Sequence, residues 1–206
     1  FDFPKKDKNN NLAPKAKDGS KVFVLRLDGC QLEFINRPEL PNFQKVIQEG
    51  AAGTLFSRPA LTPAAWTSMV TGKNPGKTGI FDFRVGEDLL FSTDKKAKEL
   101  WDYVPSVAIN VPMTFPVKPI DGVMISGMMS PDLDSEMVHP ESERAYLKEL
   151  DYIIEADQTL ESIGDSIEKR IEMVKHYFEY DWQLFFIVLR EYDVFHHFFW
   201  GQDLEY

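Results

Sequence analysis

Asp193 and His197 are the pair of residues in this 206-residue chain whose types and spacing most directly suggest chemistry. They are four positions apart, so on a helical turn both side chains share one face and can bind a single metal ion. They come shortly after an apolar segment over 184–189, which has the length of a strand. An isolated Asp/His pair is a weak signal, because such pairs are ordinary on protein surfaces. The adjacent His196 and the aromatic residues at 198–200 are interpreted as core packing.

Thr62 is a second candidate, and it has two interpretations. The segment from Thr62 to Gly72 predicts a helix with Thr62 as its N-cap, Pro63 in the first helical position and Gly72 at its end. A helix N-terminus offers unpaired N–H groups and positive partial charge to an anion such as phosphate. A threonine hydroxyl there can act as a nucleophile if its pKa is lowered, whereas a capping role alone is the more common one.

Asp28 is a third candidate, and it lies directly after a short apolar run that Arg26 interrupts. Such a run is typical of a buried parallel strand. Ligands in open α/β sheets bind beyond the carboxyl ends of the strands, which favours a functional carboxylate at this position. Asp28-Gly29 is equally a common turn sequence, so both interpretations stay open.

The rest of the chain alternates predicted strands and helices. Strands are predicted over 21–27, 52–56, 107–111, 123–126 and 184–189, and helices over 41–49, 141–150 and 160–180. The last helix carries apolar residues at helical spacing that are expected to face the core, namely Ile163, Ile167, Ile171, Val174 and Phe178. This alternation indicates an α/β domain with a largely parallel sheet.

Composition restricts the classes of function. The net charge of -10 argues against binding to a nucleic-acid backbone, and no apolar run is long enough to span a membrane. A chain this acidic would need bound cations to receive a phosphate ester. The single cysteine, Cys30, excludes an internal disulfide, and the polar, lysine-rich residues 1–20 predict a flexible arm without a signal core. A cytoplasmic protein is therefore expected, with a small-molecule partner.

The candidate residues carry more information together than separately. Asp28, Thr62, Asp193 and His197 are all expected at one edge of the sheet. Two cations held there could bind a phosphoryl group, lower the pKa of the threonine and stabilise the leaving oxygen.

Several segments, in this order, resemble the type I phosphodiesterase/nucleotide pyrophosphatase family of the alkaline phosphatase superfamily. The similar segments are 24–29, 40–43 with 49–51, 62–68 with 71–80, 110–116 and 193–200, so the resemblance covers about residues 21–200. It implies an alkaline-phosphatase-like three-layer sandwich with a largely parallel central sheet, incomplete in this chain, with residues 21–206 forming the N-terminal part of the catalytic domain.

The resemblance also implies roles for the candidate residues. Thr62 would be the nucleophile and would share one divalent ion with Asp28, while Asp193 and His197 would hold the other. The ions would be zinc or, alternatively, manganese. The implied reaction is in-line attack on a phosphodiester or pyrophosphate through a phosphothreonine intermediate.

Three departures from the family pattern limit what the resemblance implies. The family completes its two metal sites with an Asp-His pair and a further histidine, and this sequence stops at Tyr206. The chain is therefore expected to lack about half of the metal ligands. Phe83 stands where nucleotide pyrophosphatases carry a phosphate-facing asparagine, and Thr78 stands where they often carry a histidine. These two changes bear on nucleotide preference more than on metal chemistry.

Competing functions fit the sequence less well. Gly76-Lys77-Thr78 resembles the end of a P-loop, but that motif needs a glycine where this chain has Thr71. Cys30 is not in the Cys-x-Pro-x-Arg setting of a sulfatase, and a phosphomutase of the superfamily would be expected to carry serine at position 62. A non-catalytic binding protein that keeps the fold stays open as an alternative, as does another phosphatase of the superfamily.

Overall fold

The computed structural model describes residues 19–202, and most of the predicted arm, residues 1–18, lies outside them. The strands are β1 (Val22–Leu27), β2 (Arg84–Val85), β3 (Asp88–Leu89), β4 (Ser106–Val111), β5 (Gly122–Ser126), β6 (Val138–His139) and β7 (Leu184–Leu189). The α-helices are α1 (Leu32–Ile35), α2 (Pro41–Glu49), α3 (Thr62–Thr71), α4 (Pro75–Thr78), α5 (Glu143–Glu149), α6 (Leu160–Phe178) and α7 (Glu191–Phe199). Single 3-10 turns cover Ser92–Asp94 and Leu100–Asp102.

The central sheet has five strands in the order β1-β7-β4-β5-β6, and β2 and β3 form a separate hairpin. The first four of these strands are parallel, and β6 is antiparallel to β5. The carboxyl ends of β1 and β7 are in register, since Leu27 pairs with Leu189. Residues that follow these two strands are therefore neighbours, although they are far apart in sequence.

Helices cover both faces of the sheet. On one face, side chains from β4, β5 and β7 pack against α5 and α6, through Leu147, Met173 and Tyr177 among others. On the other face, alternate residues of the same strands pack against Trp66 and Val70 of α3 and against Trp101. This arrangement confirms the predicted α/β fold with three layers and a mostly parallel sheet.

Two strand predictions need correction. Residues 52–56 form no strand, and Leu55 and Phe56 are 97% and 82% exposed because no neighbouring strand pairs with them. β1 forms where it was predicted, but it is not buried, since it lies at an edge of the described sheet. Its Val22, Phe23 and Leu25 are each about half exposed.

The core face of α6 also differs from the prediction. Ile163 is buried as expected, but Ile171 and Phe178 are about half exposed. The buried face runs instead through Ile163, Ser166, Arg170, Met173 and Tyr177. The prediction failed because it counted apolar residues only, whereas this helix buries an arginine and a serine. Among the described residues, neither α6 nor any other helix has the length and hydropathy needed to cross a bilayer.

Candidate active site

The structure brings Asp28 and Asp193 together at the carboxyl ends of β1 and β7. The Asp28 N–H donates to the carbonyl of Leu189 at 2.9 Å, which extends the pairing of the two strands by one residue. Gly29 then turns the chain with a φ of +70°, and a Cβ at this position would lie 2.9 Å from the Cα of Asp193. Glycine is needed here for both its backbone conformation and its size.

Arg190 lies between the two carboxylates. Its Nε is 3.8 Å from Asp28 Oδ2, and its Nη2 is 3.6 Å from Asp193 Oδ2. The same guanidinium forms an ion pair with Glu155. Burial raises the pKa of Asp28, and the neighbouring charge of Asp193 raises it further, while Arg190 and Arg26 partly offset this rise. The pKa of Asp28 is therefore raised overall, but by less than burial and Asp193 alone would raise it.

Asp193 and His197 share one face of α7, as their spacing predicted. The distance between His197 Nε2 and Asp193 Oδ1 is 3.6 Å. The His197 side chain is 70% exposed, and it borders a cavity of about 490 Å³ together with Arg190 and Glu155. Its imidazole is therefore accessible from solvent.

The aromatic residues around this pair are only partly packed. His196 contacts the rings of Phe34, Tyr192 and Trp200, which agrees with a packing role. Phe198 and Trp200, however, are 40% and 60% exposed, so core packing was the wrong interpretation for these two. They lie in and just after the last turn of α7.

Thr62 is the first residue of α3 rather than its N-cap, which is Leu61. The carbonyl of Leu61 accepts the first helical hydrogen bond, from Ala65 at 2.9 Å, and the Thr62 hydroxyl makes no capping bond to the helix. The predicted N-cap is therefore wrong by one residue. The prediction of Gly72 at the helix end is confirmed, and this glycine adopts a φ of +64°.

Thr62 and Asp28 border the same cavity, which has a volume of about 250 Å³. Arg26 also lines it, and its guanidinium lies 5.3 Å from the ring of Trp66, another lining residue. The cavity therefore combines a hydroxyl, a carboxylate and a cation, which are groups suited to a phosphate ester. Sequence reasoning missed Arg26 and Arg190 as site residues. Two signals in the sequence could have identified them. Arg26 is a charged residue inside an apolar strand, and Arg190 directly follows another apolar strand.

The candidate ligands suit a divalent metal in type but not in number. Asp28 and Thr62 supply a carboxylate and a hydroxyl, whereas Asp193 and His197 supply a carboxylate and an imidazole. Within residues 19–202, no group of three or more His, Cys, Asp or Glu side chains is placed to hold a metal ion. Protein zinc sites use three or four protein ligands, so these residues fit part of each of two sites.

Thr78, which replaces the histidine often found in nucleotide pyrophosphatases, has a local structural role. It is fully buried, and its hydroxyl donates to the carbonyl of Pro75 and accepts from the N–H of Ile80. These bonds stabilise the turn after α4 and do not involve the candidate site.

One of three comparisons with known proteins found a match. Neither a search of curated proteins nor a search of solved structures found a match to this chain. The sequence profile of a hydrolase family matches residues 22–206, which is most of the chain and includes all four candidate residues. The chain belongs to the type I phosphodiesterase / nucleotide pyrophosphatase family.

Proposed function

We propose that Thr62 is the nucleophile of a two-metal phosphodiesterase or pyrophosphatase site, with Asp28, Asp193 and His197 as metal ligands. The observation that carries the proposal is the position of Asp28. This carboxylate borders the cavity of Thr62, and it also lies 3.8 Å from Arg190, the N-cap of α7, the helix on which Asp193 and His197 share a face. Family membership supplies the reaction class, which is hydrolysis of phosphate esters or nucleotides.

Asp28 and Thr62 would hold one divalent ion, and Asp193 and His197 would hold the other, with further ligands from outside the described residues. Zinc is the ion proposed, with manganese as the alternative. When bound, the ions would supply positive charge for the phosphoryl oxygens and lower the pKa of the Thr62 hydroxyl.

The chain's own residues would act on the substrate in two displacements. The Thr62 hydroxyl would give up its proton, which ends on the leaving alcohol or phosphate, and its oxygen would bond to phosphorus while the bond from phosphorus to that leaving group breaks. Water then attacks the phosphothreonine, which releases the phosphate product and restores the hydroxyl. Arg26, which lines the same cavity, would attract the anionic ester to the position for attack.

The test is hydrolysis of bis-p-nitrophenyl phosphate by the full-length protein, with added zinc, with manganese and with a chelator. Thr62→Ala should abolish metal-dependent turnover, and Thr62→Ser should retain part of it because a hydroxyl remains. The matched control is Thr71→Ala at the other end of α3. The Thr71 hydroxyl donates to the carbonyl of Thr67 and lies outside the cavity of Thr62.

The outcomes separate the proposal from its alternatives. Turnover that survives Thr62→Ala would remove the nucleophile assignment. Absence of turnover with either metal, together with absence of zinc binding, would favour a non-catalytic binding protein that keeps the fold. Zinc binding without turnover of this probe would direct the search to pyrophosphates and nucleotides as substrates.

A further inference from the structure

We propose that the buried ion pair between Arg170 of α6 and Glu191 of α7 is a positioning device for the metal ligands Asp193 and His197. The inference rests on the proposed function of those two residues. It concerns residues that make no contact with the candidate cavity of Thr62, and it assigns them a role beyond fold stability.

The pair is fully buried and joins three parts of the chain. Arg170 and Glu191 side chains are 1% and 2% exposed, and Arg170 Nε lies 2.6 Å from Glu191 Oε1. Arg170 also donates to the carbonyls of Ile153 and Ile154, each at 3.1 Å. The Ser166 hydroxyl donates to the same Glu191 oxygen at 2.7 Å. The first residue of α7 is thereby tied to α6 and to the loop that precedes α6.

Stability alone does not explain this pair. Burying two charges has a large desolvation cost, and well-packed apolar residues are often as stabilising as a buried ion pair. Two buried atoms of the pair add to the cost, because Glu191 Oε2 accepts no hydrogen bond from the described residues and Arg170 Nε, although close to Glu191 Oε1, makes none. A costly contact that joins α6 to the first residue of α7, together with the Ser166 hydrogen bond to Glu191, is better suited to fixing the position of a helix than to holding the fold together.

The surroundings of α7 show why an anchor between α6 and α7 matters. A cavity of about 570 Å³ lies between α1, α6 and α7, bordered by Phe34, Ile163, Ile167 and Phe195. Side chains on this face of α7 are therefore not closely packed against α6. The ion pair supplies the constraint that close packing would otherwise give, because the cavity leaves the helix room to tilt.

The position of Glu191 makes the constraint effective at the site. It is the first residue of α7, two positions before Asp193 and six before His197. A change in the direction of α7 at Glu191 would move both metal ligands relative to Asp28, whose position is set by β1. The pair thus controls the relative placement of the two halves of the site.

The test compares Glu191→Gln with Glu99→Gln in the full-length protein. Glu99 is an equivalent buried carboxylate, paired with Lys95, and both of these side chains are 3% exposed. Glu99 does not border any of the cavities that contain the candidate residues. Two quantities are measured for each variant: zinc affinity by competition with a chromophoric chelator, and amide hydrogen exchange along α7 in metal-free protein.

Glu191→Gln is expected to weaken zinc binding by about tenfold, the lower end of the effect of removing residues that orient metal ligands. It should also speed amide exchange in α7 while leaving α3 unchanged. Glu99→Gln should change neither quantity. The double variant Arg170→Met/Glu191→Met removes both charges, so it should fold as well as the parent while binding zinc as weakly as Glu191→Gln.

Equal zinc affinity and equal α7 exchange in Glu191→Gln and the parent would overturn the inference. An equal loss of zinc affinity in Glu99→Gln would also overturn it, because the loss would then result from general destabilisation of the protein. If the parent binds no zinc, the proposed function fails, and α7 exchange alone decides whether the ion pair positions the helix.

Discussion

Asp28 is held where its charge is unfavourable in the metal-free protein. Burial raises the pKa of its carboxyl, and the nearby Asp193 carboxylate raises it further. Two like charges near each other are a common property of sites that bind cations, since the bound ion removes the repulsion. In the proposed site, Asp28 would therefore contribute to metal binding at some expense of the stability of the metal-free protein.

The first prediction follows from this carboxylate. Asp28→Asn should stabilise the metal-free protein at neutral pH, by up to about 1 kcal/mol of unfolding free energy, because it removes a buried charge beside Asp193. The measurement is urea unfolding in the presence of a chelator. An exposed aspartate, Asp88, gives the control, since Asp88→Asn should have no measurable effect. A lower stability of Asp28→Asn would contradict the prediction.

The same carboxyl predicts a pH dependence. Its folded-state pKa lies above the ordinary value of 3.8, so the folded protein binds a proton more readily than the unfolded chain. Asp28 therefore lowers stability as the pH rises from 3.8 through the raised pKa, and the loss is complete above it. The advantage of Asp28→Asn should be present at neutral pH and absent below pH 3.8. An advantage that stays constant across this window would exclude the proposed cause.

At the scale of elements, the contact between Gly29 and α7 fixes how the strand ends meet the helix. A Cβ at Gly29 would come within 2.9 Å of Asp193 Cα, while Gly72 has a similar φ and no atom within 4 Å of such a Cβ. Substituting each glycine by alanine therefore separates two effects on stability, that of the left-handed backbone conformation and that of close contact with α7.

The second pair of variants uses this difference. Gly72→Ala should lower the free energy of unfolding by about 1–2 kcal/mol through its left-handed backbone conformation. Gly29→Ala should lower the free energy of unfolding by roughly 1–3 kcal/mol more than Gly72→Ala does, because the backbone of α7 must also move. Urea unfolding measures both. Equal losses would contradict the prediction, because they would mean that α7 gives way to the added Cβ at no cost in stability.

Sequence patterns predicted most elements but not their neighbours. β4, β5 and β7 are apolar runs buried within the sheet, so their composition alone was sufficient to predict them as strands. The strand predicted over 52–56 has a similar composition, but no strand pairs with it, and sequence gives no direct sign of a missing partner. Arg170 was missed for a related reason. A single arginine in a helix is usually a surface residue, and its partner Glu191 becomes visible only when α6 and α7 are placed together.

The candidate site was predictable to the extent that it depends on strand ends. The expectation that Asp28 and Asp193 lie near each other follows from the geometry of parallel strands, and the structure places them together. The presence of Arg190 between them depends on the direction of its side chain. The spacing of apolar and polar residues in the sequence does not give that direction. Assignment of Thr62 as an N-cap failed because Pro63 fits the second helical position as well as the first.

At the scale of the whole molecule, the net charge of -10 would link the proposed metal binding to stability. Acidic residues repel one another in the compact state, and divalent cations reduce that repulsion where they bind. A ligand that binds only the folded protein also stabilises it in proportion to its affinity.

This linkage predicts a rise in thermal stability with zinc. At a free zinc concentration one hundred times the dissociation constant, the gain in unfolding free energy should be about 2.7 kcal/mol. Scanning calorimetry with zinc and with a chelator measures it. His197→Ala should reduce the gain, whereas His176→Ala should leave it unchanged, since His176 stacks on Tyr146 away from the candidate site. An equal gain in both variants would place the stabilising zinc elsewhere.

The pairing of β1 with β7 has a consequence for how the protein is made. These strands are separated by about 160 residues, and bringing distant segments together costs chain entropy that grows with the length of the intervening loop. During synthesis β1 cannot pair with β7 until β7 has left the ribosome. Until then the apolar side chains of β1, which stay about half exposed even in the folded protein, face solvent. Asp28 and Asp193 can approach each other only after that pairing, so the proposed metal ligands can come together only once the chain has been made past β7.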